Sequence, residues 1–597
     1  MNRQYKTMAQ DSGYILPQAE IDWQDINPYS KNYQDIYWSR SNPLQEKRHV
    51  FLNQHQLEER GRNACHFTIA ETGFGFGNNF LLTADLWRKQ KHKGMLHYIA
   101  FENTPVKPDD LARHYQSLNI ESSAWLMEHY PLPLQTNFTL WFGNNIRLSL
   151  IFDDAIRALD ELTTPVDAWY LDGFSPASNS DLWNNKLYGR MFNLSKPGTT
   201  LSTYTVAGAV RQGLNHAGFM VEKIRGYGSK AEMLIGKRPG HWIQGRSTRT
   251  SVAVLGAGVA GSSCVDALNR RDVDVQQISH LPANVASNIP ALVTYPQLGL
   301  RKESRCQFSI SANHYARHQT PGFNNSLVHW RSKNAASVAR MRAIVNQFPG
   351  NYMSCPEESS VLFHQAGWMQ HQAGSDLSIA TVNRIESVGD QWQVLDAHGK
   401  VITIVDQLVI AMGIHSRELL PLPLIPVRGQ ALTIRPSQSV NAVITGDISI
   451  VQHDDGNWTV GSTFQRDDVG TESRSSDTRQ LLQKLQTSYP DNTIDVLATH
   501  VGIRAATRDR LPLVGRVPDW KALQHHIQQD QHKVFGQYQK GLYVSTGFGS
   551  HGATHARLCG EYIANLVCAE PGVFSRKWEL MLGVERFDLR DARRGRT

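Results

Sequence analysis

Apolar residues fall along this chain in short runs separated by polar and glycine-bearing breaks. His66–Glu71, Leu96–Glu102, Asp167–Leu171 and Thr199–Thr205 are rich in apolar and β-branched residues, with the length and content of buried strands. Helical stretches lie between them, notably Asn79–Lys89. Strands alternating with helices predict a parallel, doubly wound sheet. Such a sheet gathers ligands at the carboxyl ends of its strands. The pattern then restarts. Val252–Leu255 is a short apolar strand feeding a helix through Arg271, and the segment from Gly541 runs from a strand into a helix through about Val567. No repeat of roughly 20–50 residues is present, which argues against a solenoid or propeller. The polar stretch GKRPGHWIQGRSTRT reads as a linker. It sets the boundary near Gly240–Thr250, with one domain at 1–240, a linker at 241–250 and a second domain at 251–597.

Composition narrows the class. At 597 residues the chain exceeds a typical domain of about 100–200 residues. Its 41% hydrophobic and 19% charged content excludes wholesale disorder. No run approaches the ~20 apolar residues that span a bilayer. The opening MNRQYKTMAQDSGY lacks the apolar core of a secretory signal, so a cytoplasmic protein without a membrane partner is expected. The six cysteines (Cys65, Cys264, Cys306, Cys355, Cys559 and Cys568) are scattered without a CxxC pair, which predicts free thiols rather than disulfides or structural zinc. His314 and His318 read as a solvated helix face, and no metal is expected. A net charge of +7 permits a polyanionic partner without requiring one.

Two glycine loops carry the candidate chemistry. In the first, Glu71-Thr-Gly73-Phe-Gly75-Phe-Gly77 follows an apolar strand and precedes a helix, and its glycines let the backbone turn tightly against a ligand. Glu102 ends the next strand, where an acid can accept hydrogen bonds from ribose hydroxyls. Together they resemble the S-adenosylmethionine (SAM) pocket of a Rossmann-like methyltransferase, although a purely structural glycine turn has the same pattern. In the second, Gly256-Ala-Gly258-Val-Ala-Gly261 is a full GxGxxG opening a helix. Its first two glycines suit a pyrophosphate, and Gly261 suits tight helix–strand packing. The acid expected at the end of the following strand is missing; Ser279 or His280 stands there. Gln407-Leu-Val-Ile-Ala-Met-Gly413 and Gly541-Leu-Tyr-Val-Ser-Thr-Gly547-Phe-Gly549-Ser550-His551-Gly552 look like later segments of glycine-oxidase-type flavoproteins. In that order they favour FAD over NAD.

The segment Asp167-Ala-Trp-Tyr-Leu-Asp172-Gly-Phe-Ser175-Pro176-Ala-Ser-Asn179-Ser-Asp181-Leu-Trp183 resembles the LDGF(A/S)PxxNPxxW run of the bifunctional tRNA 5-methylaminomethyl-2-thiouridine biosynthesis proteins. So do Asp35-Ile-Tyr37-Trp-Ser, Arg48-His-Val-Phe51-Leu and Gly226-Tyr-Gly228-Ser-Lys230-Ala-Glu232-Met233-Leu. In the second half, Gly502-Ile-Arg504-Ala-Ala-Thr507-Arg508-Asp509-Arg510-Leu-Pro512-Leu-Val-Gly515 and Val427-Arg428-Gly429-Gln430 resemble the same family. There are departures. Asn144 follows Phe142-Gly143 where relatives carry Asp, which implies weaker SAM binding. The run Ser287-Asn288 to Tyr295-Pro296 is eroded, and a helix after Trp368 is missing.

The resemblance implies an α/β protein. A Rossmann-like SAM methyltransferase fold would be followed by a glycine-oxidase-like FAD-binding Rossmann domain with a mixed-sheet substrate subdomain. It implies oxidation of a carboxymethylaminomethyl group on a wobble uridine, with FAD as cofactor, followed by N-methylation from SAM. Within it, Asp172 is expected to orient the acceptor amine, or else to be an N-cap acid on a strand-end turn. Arg504 and Arg508 are candidates for the substrate carboxylate, or equally for structural ion pairs. Gly413, Gly547, Gly549, Ser550 and Gly552 join Glu71, Gly73, Gly75, Gly77, Glu102, Asn144, Gly256, Gly258 and Gly261 as expected cofactor contacts. Phe174, Trp183 and Tyr204 are candidate stacking residues or core. Lys230, Lys237, Arg238, Arg593, Arg594 and Arg596 are candidate phosphate contacts or a solvated surface. The expected partner is tRNA, not DNA, and a monomer is expected. Two other readings fit the chain: methylation alone with a degenerate flavin half as RNA-binding scaffold, or a flavin amine oxidase fused to a small-molecule methyltransferase.

Overall fold

The computed structural model describes residues 13–38, 42–62, 64–118, 120–228, 230–243, 250–280, 284–374, 376–529 and 535–594. Most of the expected linker (residues 244–249), Ser39, Ser229 and Arg596 therefore lie outside the described residues. Two compact units emerge. One spans Tyr14–Thr248 and takes in Glu570–Arg576, and the other is built chiefly from Arg249–Ala569 and Lys577–Thr597.

The first unit is organised by β1 (His66–Glu71), β2 (Met95–Phe101), β3 (Asn137–Phe142), β4 (Ile146–Ile151), β5 (Val166–Tyr170), β6 (Ser195–Thr203), β7 (Met220–Arg225) and β8 (Glu232–Lys237). They form one sheet in the order β7-β8-β6-β5-β1-β2-β4-β3. Its centre is parallel: β1 pairs with β2 and β5, β2 with β4, and β5 with β6. The outer strands β3, β7 and β8 run antiparallel to their neighbours. Helices cover both faces, so β1, β2 and β5 are buried along nearly their whole length, which explains their largely apolar content. Ala70, Trp169, Leu171, Leu187, Leu201 and Leu234 belong to one core cluster. The helix α1 (Asn78–Lys89) starts immediately after Gly77. That residue has φ +78°, and a Cβ there would stand 2.7 Å from the Phe74 ring, so only glycine fits.

The second unit begins with β9 (Ser251–Leu255), α2 (Val259–Asn269) and β10 (Asp274–Ser279) and continues to β11 (Leu377–Ile379) and β12 (Gln407–Ile410). The long strands β13 (Ile425–Pro436) and β14 (Ile494–Ala506) follow, then β15 (Leu513–Pro518), β16 (Tyr538–Thr546) and α3 (Gly552–Val567). A sheet of order β11-β10-β9-β12-β16-β15 is parallel except for its last pair. A second, nine-stranded mixed sheet contains β13 and β14, paired antiparallel with Val427 opposite Arg504 and Gly429 opposite Gly502. Residues 370–374, after Trp368, form no helix. All six cysteines are free, and no described helix is long and apolar enough to cross a membrane.

The turn from β9 into α2 depends on backbone closeness. Gly256 has φ +112°, and its missing Cβ would stand 2.4 Å from the Ala411 carbonyl oxygen. A Cβ on Gly261 would stand 2.0 Å from the Gly256 carbonyl oxygen. Both neighbours are backbone and cannot rotate away. Gly261→Ala is therefore expected to destabilise this unit by about 1–3 kcal/mol, measured as a lower denaturant midpoint.

Candidate active sites

In the first unit, the carboxyl ends of β1, β2, β4 and β5 open into a cavity of about 350 Å³. Gly73, Gly75, Glu102 and Asp172 line it, as the sequence predicts. Glu102 follows β2, and its carboxylate accepts the N–H groups of Gly75 (2.8 Å) and Thr104 (2.9 Å). Burial raises its pKa, opposed by those backbone donors. Asp172 follows β5. It accepts from Asn79 Nδ2 (2.8 Å) and from the Gly173 N–H (3.0 Å), and it forms an ion pair with Lys47. Its loop is tied down on several sides. Tyr204 donates to the Gly173 carbonyl (2.9 Å), Trp183 to the Phe174 carbonyl (2.7 Å), and the Ser175 N–H to Asp35 (2.8 Å). Phe174 lines the cavity and stacks on Tyr33 at 4.6 Å; Trp183 and Tyr204 are not in its lining.

Three expectations need correction. Asn144 is exposed in the tight turn between β3 and β4, at the amino end of the parallel strand β4. The cavity lies at the other end, where Asp153 and Asp154 line it. Asn144 therefore has no place in the cofactor contacts. The strand-ending acid there is Asp153, held by Arg157 (2.8 Å) and Gln135 (2.8 Å). Its signal, an acid just past an apolar strand, was available in the sequence. Glu71 and Gly77 also stand outside the lining. Gly77 serves the start of α1. Glu71 is buried behind the loop, accepting from Asn79 (2.6 Å) and Tyr98 (2.9 Å). Lys47 carried no signal in the sequence, because its helix lies far from the loop of Asp172.

Asn79 thus bridges two buried carboxylates. Burial, then the neighbouring Asp172 charge, pushes the Glu71 pKa up to about 8. Burial is the largest single effect on Lys47 and pulls its pKa down, but the Asp172 charge and hydrogen bond, with the Glu71 and Glu46 charges, together outweigh it and leave the pKa raised.

In the second unit, a cavity of about 450 Å³ is lined by Gly256 and Gly258 at the start of α2, by Ser279 and His280 after β10, and by Gly413 after β12. It is also lined by Gly547, Gly549, Ser550 and Gly552 between β16 and α3. Gly261 packs beneath the loop and does not line it. Ser287, Asn288 and Tyr295, from the eroded run, form part of the wall, and Ser287 Oγ accepts the Val259 N–H (3.1 Å). These residues fit a flavin dinucleotide. Gly256 leaves no space for a Cβ, Gly413, Gly547 and Gly549 have the positive φ that suits glycine, the α2 amino end offers donors for a pyrophosphate, and the α3 amino end faces the same cavity. Arg504 reaches the lining from β14, bonds Ser462 Oγ, and crowds Gly429, whose Cβ would stand 2.5 Å from its Nη1. Burial pushes Arg504 down to about 10. His551, also in the lining, is pushed down to about 4 by burial and by the Arg510 and Arg504 charges. Arg508 is a correction. It pairs with Asp591 (2.5 Å) and lies over the Phe587 ring (4.6 Å), outside the cavity. The structural ion pair, left open by the sequence, is what it forms.

Glu71 makes stability pH-dependent. Its folded pKa lies above the ordinary carboxylate value, so between the two the folded state holds a proton that the unfolded chain has released. Stability contributed by this group is present at low pH and is lost as pH rises from about 4.5 to about 8. Glu71→Gln, which mimics the protonated acid, is expected to flatten that decline in melting temperature measured against pH.

Known proteins match both halves of the chain. A family described as S-adenosyl-L-methionine-dependent methyltransferase matches residues 120–239, and FAD dependent oxidoreductase matches residues 372–566. The tRNA 5-methylaminomethyl-2-thiouridine biosynthesis bifunctional protein MnmC of Aeromonas hydrophila is 31% identical over 93% of this chain and 95% of its own length. That of Azoarcus sp. is 32% identical over 97% and 99%. Among solved structures, glycine oxidase from Geobacillus kaustophilus is 16% identical, with a TM-score of 0.46, covering 57% of this chain and 99% of its own. With identity above 30% across both units, the chain belongs to the family of bifunctional tRNA 5-methylaminomethyl-2-thiouridine biosynthesis proteins.

Proposed function

We propose that the chain completes the side chain of a tRNA wobble uridine in two steps. The first is oxidative removal of the carboxymethyl group from 5-carboxymethylaminomethyl-(2-thio)uridine. The second is N-methylation of the resulting 5-aminomethyl-(2-thio)uridine to 5-methylaminomethyl-(2-thio)uridine. The observation that carries this reading is the presence of both cavities in one chain that matches the bifunctional relatives nearly end to end. The division at 1–240, 241–250 and 251–597 remains our proposal for its domains, with a cytoplasmic monomer as the working form and tRNA, not DNA, as its polymer. An unpaired anticodon base is suited to such a protein because it can be turned out of the stack into a pocket.

Bound FAD supplies a hydride acceptor. Gly256, Gly258, Gly413, Gly547, Gly549, Ser550 and Gly552 are the residues that would hold it. Arg504 offers a planar fork for the substrate carboxylate at the cavity wall. Loss of hydride from the carbon between nitrogen and carboxylate gives an imine, and water splits this into the aminomethyl base and glyoxylate. In the other cavity, Gly73, Gly75 and Glu102 would hold SAM, with Glu102 turned to the ribose hydroxyls. Asp172 would accept an N–H of the amine and so aim its lone pair at the methyl group.

Nucleoside analysis of tRNA incubated with the protein tests the reading. Loss of the carboxymethyl group without SAM, and gain of a methyl group with it, are expected; unchanged nucleosides under both conditions would refute it. In the same assay, Asp172→Asn is expected to abolish methylation while SAM binding stays intact. Arg504→Ala is expected to raise the KM of the carboxymethylated substrate at least about tenfold, the worth of one charge-assisted contact. Arg508→Ala, which removes a contact outside the cavity, should leave that KM unchanged.

A further inference from the structure

We propose that Lys47 is a positioning residue for methyl transfer, a fixed positive charge beside Asp172 that makes the acceptor amine bind without its proton. The inference deepens the methylation reading above and rests on it.

The local structure delivers this side chain to one point. Asn42 caps the short helix Pro43–Lys47, accepting the Gln45 N–H at 3.2 Å. The chain then widens into a π-type turn over Arg48–Leu52, a geometry often found at working sites. Lys47 projects into the cavity wall, with its Nζ 5.3 Å from the centre of the Phe51 ring and bonded to Asp172 Oδ2. Its side chain is 13% exposed and that of Asp172 is 11%. Among the described residues lining this cavity, Lys47 is the only cation.

The charges around it set the sign of the effect. Behind Asp172, burial and the Asp172 charge raise the pKa of Glu71, which accepts from Asn79 (2.6 Å). Glu46, next along the helix, is paired with Lys230 (3.0 Å). Glu102 is bonded to backbone N–H groups, Asp153 is paired with Arg157, and Asp154 caps its own helix. Asp181 also lines the cavity, and Tyr98 and Tyr204 stay neutral because burial raises them. The group facing an amine at Asp172 is therefore a carboxylate already neutralised by Lys47. An alkylammonium there would be a second cation a few ångströms from the first, in a water-poor wall where that repulsion is strong. A neutral amine meets no such penalty and still donates an N–H to Asp172. Without Lys47, the bare Asp172 carboxylate would act in the opposite sense, stabilising the ammonium and withholding its lone pair.

The step balances on this basis. The ammonium loses its proton to solvent on entering the cavity. The nitrogen lone pair then forms the N–C bond as the S–C bond breaks, and that electron pair stays on sulfur as a thioether. The positive charge moves from sulfur to nitrogen.

The test is the pH dependence of kcat for methylation by the full chain at saturating SAM, on tRNA carrying 5-aminomethyluridine. In the wild-type protein the acid limb is expected below the pKa of the free amine. Lys47→Gln should move that limb upward by about one to two units, the scale of a nearby charge at intermediate dielectric. Lys47→Arg, which keeps the charge, should restore it. A limb that stays in place in Lys47→Gln, even with a lower rate, overturns the proposal, because a merely structural role leaves it unmoved. If Lys47→Gln does not bind SAM, the wild-type profile decides alone: a limb at or above the pKa of the free amine overturns the proposal. No methylation by the wild-type protein at any pH is a different result, which removes the methylation reading itself and this inference with it.

Discussion

The Asn79 amide donates to two carboxylates at once, Glu71 at 2.6 Å and Asp172 at 2.8 Å. In a dry interior two such groups cannot both stay charged so close together without a cation. The first unit settles the conflict by geometry. Lys47 stands on the Asp172 side, at the cavity, while behind it burial and the Asp172 charge raise the pKa of Glu71, whose oxygens accept from Asn79 and Tyr98. Much else follows from keeping that arrangement in place. The parallel strands β1 and β5 end side by side, which brings the two acids together, and the glycine loop lets α1 begin close enough for Asn79 to reach both.

The second unit meets a different constraint, the approach of backbone to backbone. β9, α2 and the β12 turn come so close at Gly256 and Gly261 that no side chain fits. That closeness leaves room for a phosphate at the α2 amino end. The ribose end of the same cavity departs from the usual chemistry. Ser279 and His280 line it where a carboxylate is customary, and the His280 ring stands 6.0 Å from that of His415.

Features set by short-range chemistry could be read from the chain. The strand His66–Glu71 has the bounds its apolar run predicts, and α1 begins one residue before its expected start. Glu102, Asp172 and the first two glycines of each loop line cavities because strand ends and tight turns are local properties. What depended on distant partners could not be read. Arg504 and Arg508 sit four residues apart in one motif, yet one points into a cavity and the other is captured by Asp591 near the chain end. Asn144 was misplaced because β3 and β4 form a hairpin. The match of Phe142-Gly143-Asn144 to the relatives' Phe-Gly-Asp does not reveal which end of the sheet that turn occupies. Lys47 meets Asp172 across 125 residues of sequence, a pairing no local pattern encodes.

The short stretch Glu570–Arg576 belongs to the first unit although nearly all the chain before it from Arg249 belongs to the second. There the Pro571 carbonyl accepts from the buried Arg147 guanidinium, Glu570 faces His97 at 3.5 Å, and the Arg576 N–H donates to the Glu161 carbonyl at 2.9 Å. The polypeptide thus crosses between its units more than once, and the methyltransferase half is not a bead that can be snipped free at the linker. A truncation after residue 240 would discard seven residues of its own unit, among them the Pro571 whose carbonyl accepts from Arg147. Gene fission or domain exchange in such a protein therefore needs a graft that replaces this returning piece.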